Sequence, residues 1–463
     1  MLRVFDHYIP ASIIWLILIE LCVLYAAVHL GIEFRYSAPF GDSSEKIYIE
    51  PILPKAISFT VAMWLSMTAM GLHTRNVVDD FAGMMIRIFL SFGLGFIVNT
   101  LMFYIAPELF LGRGIFLFTL FFAFFGILIT RTAFQKLDNN ELFRRRVLVV
   151  GAGKKAKIIE KLEAQSRKRG HEIVGYVCVD STTPYVDADK IIKLKTSLLA
   201  LALEYDIDEI IVAMTDRRQG FPAEQLLACK INGIVVRDLL NYAERIKGNI
   251  ELDVLHPSVM IFSSGFIKAT RNKRTFDILV SVLILILTSP IFLLTAFLIW
   301  LSSFGKHPVF YRQTRIGLGG QEFSVLKFRS MKVDAEKDGA QFAKRKDSRV
   351  TWIGRFIRMT RIDELPQLIN VLKGEMSFVG PRPERPEFVN EFVEEVPHYS
   401  LRHAVKPGIS GWAQICYPYG ENIEDTKNKL EFDLYYIKNY SMFLDLTILF
   451  QTVQVVVFGQ GAR

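Results

Sequence analysis

The stretch TRIDELPQL, residues 360–368, sets two carboxylates side by side, Asp363 and Glu364, with Arg361 just before them and a Leu-Pro step just after. Neighbours on a helix diverge by about 100°, so two adjacent acids can divide the work, one attacking phosphorus and the other holding a metal. Adjacency alone singles out nothing, because Asp79-Asp80, Glu394-Glu395 and Glu424-Asp425 share it. The surroundings of Asp363 do. With Pro366 placed in the first turn of a new helix, Asp363 is expected to cap it. A helix N-terminus and nearby arginines would then keep the carboxylate ionised and nucleophilic. Arg355, Arg358 and Arg361 recur every three residues and predict one basic helical face leading to it. Upstream, QEFSVLKFRSM alternates like a strand and directs Lys327 and Arg329 to the same side. Downstream, GPRPERPEF holds Arg382 between prolines, a stiff presentation suited to bidentate phosphate binding. VKPGISGWAQ offers Trp412 and Gln414 for a base or a sugar. Mg²⁺ is the fitting metal, since it binds through one or two carboxylates plus substrate phosphates.

The elements that must position these residues belong to an apolar chain. Of 463 residues 51% are hydrophobic, 37 are Phe, and the net charge is +8. This is too apolar for an ordinary soluble protein and predicts two or three domains, with basic segments facing anionic lipid or anionic substrates. No nucleic acid partner is expected. The four cysteines, Cys22, Cys178, Cys229 and Cys416, have neither disulfide nor zinc spacing.

Four runs of spanning length, about 20 residues each, lie at Ile9–Ile32, Ala56–Leu72, Met84–Ala106 and Gly114–Phe134. The first lacks a small-residue cleavage site and reads as a span, not a removable signal peptide. Arg75, Arg87, Arg131, Lys136 and Arg144–Arg146 flank the second connection and the fourth run, so both ends of the bundle are expected on the cytoplasmic side. RRRVLVVGAGKKAKIIEKL then runs from a strand through Gly151-Ala152-Gly153 into a helix, a G-x-G-x-x-A pattern. With IVGYVCVD (ending at Asp180), IDEIIVAM and GIVVRDL it predicts a Rossmann-like parallel sheet. Gly151 and Gly153 either let a pyrophosphate approach or merely make a tight strand-helix turn; both readings stand. The run Ile278–Leu301 carries Ser289-Pro290 at its centre and basic residues on both flanks. A helix broken there, dipping into the membrane and returning, keeps both flanks cytoplasmic. The apolar run MFLDLTILFQTVQVVVF is expected to be an interfacial or packed helix.

Five motifs in order (a basic flank with a Ser-Pro-broken apolar helix, KFRSM, TRIDELPQL, SFVGPRP and KPGISGWAQ) make the C-terminal half, roughly 270–463, resemble the bacterial sugar transferases, or monotopic phosphoglycosyl transferases. The whole chain looks like the large polyprenyl glycosylphosphotransferases of exopolysaccharide and O-antigen assembly, most similar to the exosortase-associated group. The resemblance implies an α plus α/β membrane protein. It would have a four-helix transmembrane bundle (1–140), a Rossmann-like, CoA-binding-like domain (141–250), a linker (251–274) and a mostly helical transferase domain (275–463) with a re-entrant helix (278–301). It implies Asp363 as nucleophile, Glu364 as Mg²⁺ ligand, Lys327, Arg329 and Arg382 on phosphates, and Arg358 and Arg361 near the lipid phosphate. The implied partners are a UDP-sugar donor, with UDP-glucose or UDP-galactose leading, undecaprenyl phosphate as acceptor, and lipids of the bacterial inner membrane; surface remains for a homodimer. The re-entrant helix would hold the active site at the cytoplasmic headgroups. A membrane-bound dehydratase or epimerase would need Tyr with Lys four positions later, and none of the 16 tyrosines has one. A glycosyltransferase releasing UDP and a non-catalytic nucleotide-sensing scaffold are the alternatives.

Overall fold

The computed structural model describes residues 2–4, 7–9, 11–37, 51–73, 81–138, 144–167, 170–179, 183–194, 196–214, 220–255, 260–261, 266, 271–332, 349–417 and 422–457. Arg75 and Asp180 lie outside them. The chain divides into two compact units, one running to Val254 and the other from Leu255.

The first unit begins with four apolar helices, α1 (Ala11–Tyr36), α2 (Ile52–Ala69), α3 (Phe81–Ile105) and α4 (Arg113–Asp138). All four are long and apolar enough to cross a membrane. They bury Leu24, Val28, Phe59, Met63, Ile88 and Ile127 against one another. Glu20 is fully buried among them and is matched by Arg131 Nε at 2.7 Å and His73 Nε2 at 2.6 Å. A charge in such surroundings persists only when paired.

The same unit carries a five-stranded, all-parallel sheet in the order Ile191–Ile192, His171–Val177, Arg145–Val150, Glu209–Val212, Val235–Asp238. The first strand in sequence is central and the order reverses beside it, as in a doubly wound nucleotide-binding half. Leu148, Val150, Ile210 and Val212 fill its core. Gly151 has φ +115°, and a Cβ there would lie 2.8 Å from the Ala213 carbonyl carbon and oxygen. The close approach of that neighbouring strand end is reason enough for a glycine. Gly153 is buried, and its carbonyl accepts from Ala156 N at 2.9 Å as the helix begins.

The second unit is mostly helical, as expected. An antiparallel hairpin, Phe310–Ile316 with Glu322–Phe328, pairs Tyr311 with Lys327. Helices Trp352–Met359 and Gln367–Lys373 flank a short turn, Ile362–Glu364. Strand Ser377–Val379 runs parallel to Gly408–Ser410. Helices Pro386–Glu395, Trp412–Cys416, Ile423–Lys438 and Met442–Val457 follow. The last is packed, with Leu444, Asp445 and Ile448 fully buried.

The long apolar helix departs from the expected break. It runs continuously from Arg271 to Ser302 with Pro290 inside it. Proline at 290 cannot donate to the Ile286 carbonyl one turn back. The Ser289 hydroxyl donates to that carbonyl instead, at 2.8 Å, and Thr288 Oγ1 donates to Ile284 O at 2.7 Å. Ser-Pro therefore removes a backbone bond and replaces it with a side-chain bond, so no loop intervenes. Both ends of the helix engage the same unit. At the start, Lys273 Nζ donates to Val379 O (3.1 Å) and Asp277 accepts from Phe378 N (3.0 Å). Toward the end, Phe292 and Ile299 pack with Phe328, Ile353 and Ile357. Between them Leu279, Leu283, Ile286 and Leu287 are exposed.

Candidate active site

Asp363 and Glu364 occupy the turn Ile362–Glu364, entered through Arg361 in the left-handed region (φ 59°). Asp363 caps no helix. The next helix begins at Gln367, and Pro366 precedes it instead of lying in its first turn. Nor do Arg355, Arg358 and Arg361 share one helical face, because the helix ends at Met359 and the backbone reverses its hand at Arg361. The reversal folds the Arg361 side chain back onto the acid pair, its Nη1 lying 3.5 Å from Glu364 Oε1.

Two further cations reach the same oxygen: Arg382 Nη2 at 3.5 Å and Lys327 Nζ at 3.8 Å. Glu364 thus stands in a ring of three positive charges drawn from a strand, a turn and a proline-bounded loop. Burial pushes its pKa up, but Lys327, Arg382 and Arg361 outweigh that and hold it down at about 2. Asp363 goes the other way. It is 8% exposed; burial and the neighbouring Glu364 charge lift it to about 6, against the pull of Lys327, Arg358 and Arg361. The expectation that its surroundings would favour the ionised form is corrected in direction: desolvation exceeds the cations' effect. Near neutral pH Asp363 is still mostly a carboxylate, and a more basic one than a surface aspartate.

Lys327 is itself depressed by burial, with Glu364 opposing. Arg329 lies just past the strand end at Phe328, and its Nη1 is buried without a hydrogen-bond partner. An unmet buried donor is costly and fits a site that receives an acceptor such as a phosphate oxygen.

The supporting residues were not legible from spacing. Asn370, nearly fully buried, accepts from Leu326 N (3.0 Å) and donates to Ser324 O (2.8 Å), acting as a side-chain partner for the strand that carries Lys327. Arg315 donates to Pro383 O (3.1 Å) and Ile316 N to Glu384 O (3.0 Å), which binds the Arg382 loop to the hairpin. The glycines of the loop motifs are explained by contact: a Cβ on Gly408 would lie 2.1 Å from Gly380 N, and one on Gly354 only 1.8 Å from Ser330 O. Trp412 is not available to a ligand. It is buried and stacked on Tyr435 at 5.9 Å. Gln414 Nε2 donates to Ile409 O at 3.4 Å, while its Oε1 is buried without a partner.

No group of three or more metal-ligating side chains occurs among the described residues. Two adjacent carboxylates can still hold an ion that takes its remaining oxygens from phosphates and water, which is how Mg²⁺ prefers to be bound.

Buried carboxylates ringed by cations are chemistry fit for phosphate groups, and similarity to known proteins can be set beside that geometry. Residues 268–459 match the family described as bacterial sugar transferase, and residues 68–220 a CoA-binding domain. The chain belongs to the bacterial sugar transferase family. It is 44% identical over 257 residues to the UDP-N-acetylgalactosamine-undecaprenyl-phosphate N-acetylgalactosaminephosphotransferase of Aeromonas hydrophila, covering 55% of this chain and 60% of that protein. It is 47% identical over 183 residues to the UDP-glucose:undecaprenyl-phosphate glucose-1-phosphate transferase of Escherichia coli (strain K12), covering 39% of each. The Bacillus subtilis (strain 168) protein named "Uncharacterized sugar transferase EpsL" is 43% identical over 191 residues, 41% of this chain and 90% of that one. The chain thus spans 39% to 60% of the length of the first two relatives.

Proposed function

We propose that this protein transfers a sugar-1-phosphate from a UDP-sugar to undecaprenyl phosphate through a phosphosugar bound to Asp363. The observation that carries the reading is a buried, basic Asp363 beside a Glu364 ringed by three cations. An Oδ of Asp363 attacks the sugar-bearing β-phosphorus. The bond from that phosphorus to the bridging oxygen breaks, and UMP leaves with the electron pair. A phosphate oxygen of undecaprenyl phosphate then attacks the same phosphorus and displaces the Asp363 carboxylate. Transfer of this kind needs alignment and charge neutralisation above all, and a covalent intermediate lets a polar and a lipid substrate use one site in turn.

Lys327, Arg329 and Arg382 hold the donor phosphates in this scheme, and Arg358 and Arg361 the lipid phosphate. Mg²⁺, held through Glu364, would supply further charge neutralisation at the phosphate oxygens. The long helix Arg271–Ser302 enters and leaves the membrane on one side. Support for this comes from its two ends packing on one unit and from Pro290 near its middle, where the lost backbone bond lets a helix bend. The catalytic unit then lies at the cytoplasmic headgroups of the inner membrane. The donor sugar is a hexose; the relatives' names put glucose and N-acetylgalactosamine first for testing.

The test is nucleotide release. Detergent-solubilised protein with Mg²⁺, undecaprenyl phosphate and a panel of UDP-sugars should release UMP from at least one of them. Release of UDP would make it a glycosyltransferase of the ordinary kind, and release of neither would leave the scaffold reading.

A further inference from the structure

Arg382 is engaged at two points. Its guanidinium lies 3.5 Å from Glu364 Oε1, and its carbonyl accepts from Arg402 Nη2 at 2.9 Å. Arg402 is 7% exposed and also donates to Tyr399 Oη at 2.6 Å and Asp433 Oδ2 at 2.9 Å. Together with Glu384, Thr426 and Lys429, these residues line a cavity of about 110 Å³ that includes neither Asp363 nor Glu364 in its walls. Arg402 Nε is buried and makes no hydrogen bond.

Three properties of this cavity select a ligand. One is size: a water-sized group needs roughly 10–15 Å³ by the same measure, so the cavity takes one six-membered ring with some of its substituents, and not a nucleoside with its phosphates. Another is the lining, which combines carboxylates (Glu384, Glu391, Asp433) with cations (Arg402, Lys429) and a hydroxyl (Thr426) beside an aromatic ring (Tyr399). Carboxylates accept from hydroxyls and cations donate to them, so a ring bearing several hydroxyls meets partners of both kinds; a phosphate would be repelled by the acids. The last is place. Glu384 is two residues from Arg382, at most about 7 Å along the chain. In the donor, the hexose is joined through its anomeric oxygen to the phosphorus that Asp363 attacks, whereas the ribose is one phosphate further off.

We infer that this cavity is the sugar subsite, receiving the hydroxyls of the transferred hexose and setting which UDP-sugar is accepted. The inference rests on the donor being a UDP-sugar, as proposed above.

Thr426→Ala and Lys429→Gln test it without touching the carboxylate pair or the phosphate-binding cations. For each variant, kcat/KM is measured with UDP-glucose, UDP-galactose and UDP-N-acetylgalactosamine, with UMP product inhibition alongside. Thermal unfolding checks that the variants are folded. The expected result is a change of about tenfold in the ratio between donors in at least one variant, with UMP inhibition unmoved. Ratios preserved in both variants overturn the subsite, and preserved ratios with weakened UMP inhibition assign the cavity to the ribose instead. A wild-type protein that releases no UMP overturns the transferase reading itself; an active wild type with unmoved ratios overturns only the sugar subsite.

Discussion

Asp363 and Glu364 are neighbours in sequence with opposite electrostatics. The first is raised to about 6 by burial and by the second; the second is held at about 2 by its three cations. A pair driven apart in this way suits two roles, a nucleophile with appreciable basicity and a partner that is always charged. Activity requires the carboxylate of Asp363, so kcat/KM should fall tenfold per pH unit below about 6 and level off above it. A profile flat down to pH 4.5 would contradict the assignment. The stability sign is the reverse. The folded state holds the Asp363 proton more tightly than the unfolded chain does, so this group costs stability progressively as pH rises from about 4 to 6. Asp363→Asn should abolish transfer, by on the order of 10⁴-fold or more, since an amide is a poor nucleophile. Normal turnover in that variant would end the covalent mechanism. Glu364→Gln should lower the rate and shift the Mg²⁺ titration together, and an unchanged titration would remove its metal role.

At the scale of elements, the site depends on close approaches that only glycine permits and on buried pairs. Gly354 lets the helix Trp352–Met359 lie against the end of the KFRS segment. Gly354→Ala should destabilise the second unit by roughly 1–3 kcal/mol through overpacking, and should lower transfer because the Arg361 turn follows that helix directly. Differential scanning and initial rates check both. Lys273 is buried against Asp445 (2.8 Å) and Asp277 (3.5 Å), and Tyr436 Oη donates to Asp445 (2.8 Å). This joins the root of the long helix to strand Ser377–Val379 and the last helix. Asp445→Ala leaves a buried ammonium with the more distant Asp277 carboxylate and the Val379 carbonyl and should cost about 3 kcal/mol or more, seen as a lowered midpoint of thermal unfolding. Wild-type stability would show that water replaces the lost carboxylate.

For the whole molecule, one experiment addresses topology. Cysteines introduced at the exposed positions Asn272 and Lys306, which bracket the long helix, should both be labelled from the cytoplasmic side of membrane vesicles. Labelling of one from each side would make Asn272–Ser302 a crossing span, for which it is long and apolar enough.

The linear order of residues determined much of this protein. Runs of apolar residues about as long as a membrane is thick become helices because lipid leaves backbone groups no other partner, and α1 to α4 lie close to where those runs predict. Alternating strand and helix signals around Gly151 likewise specify a parallel sheet, since local pattern decides element type. The acid pair was legible through its company of motifs. Local pattern could not decide hand or depth. The positive φ at Arg361, the strand partner Asn370, the burial that lifts Asp363, the withdrawal of Trp412 into the core and the Ser289 bond that carries the helix through Pro290 all depend on what lies opposite in space. Desolvation and packing are set by segments tens of residues away, so only the tertiary structure decided which charges face the two carboxylates.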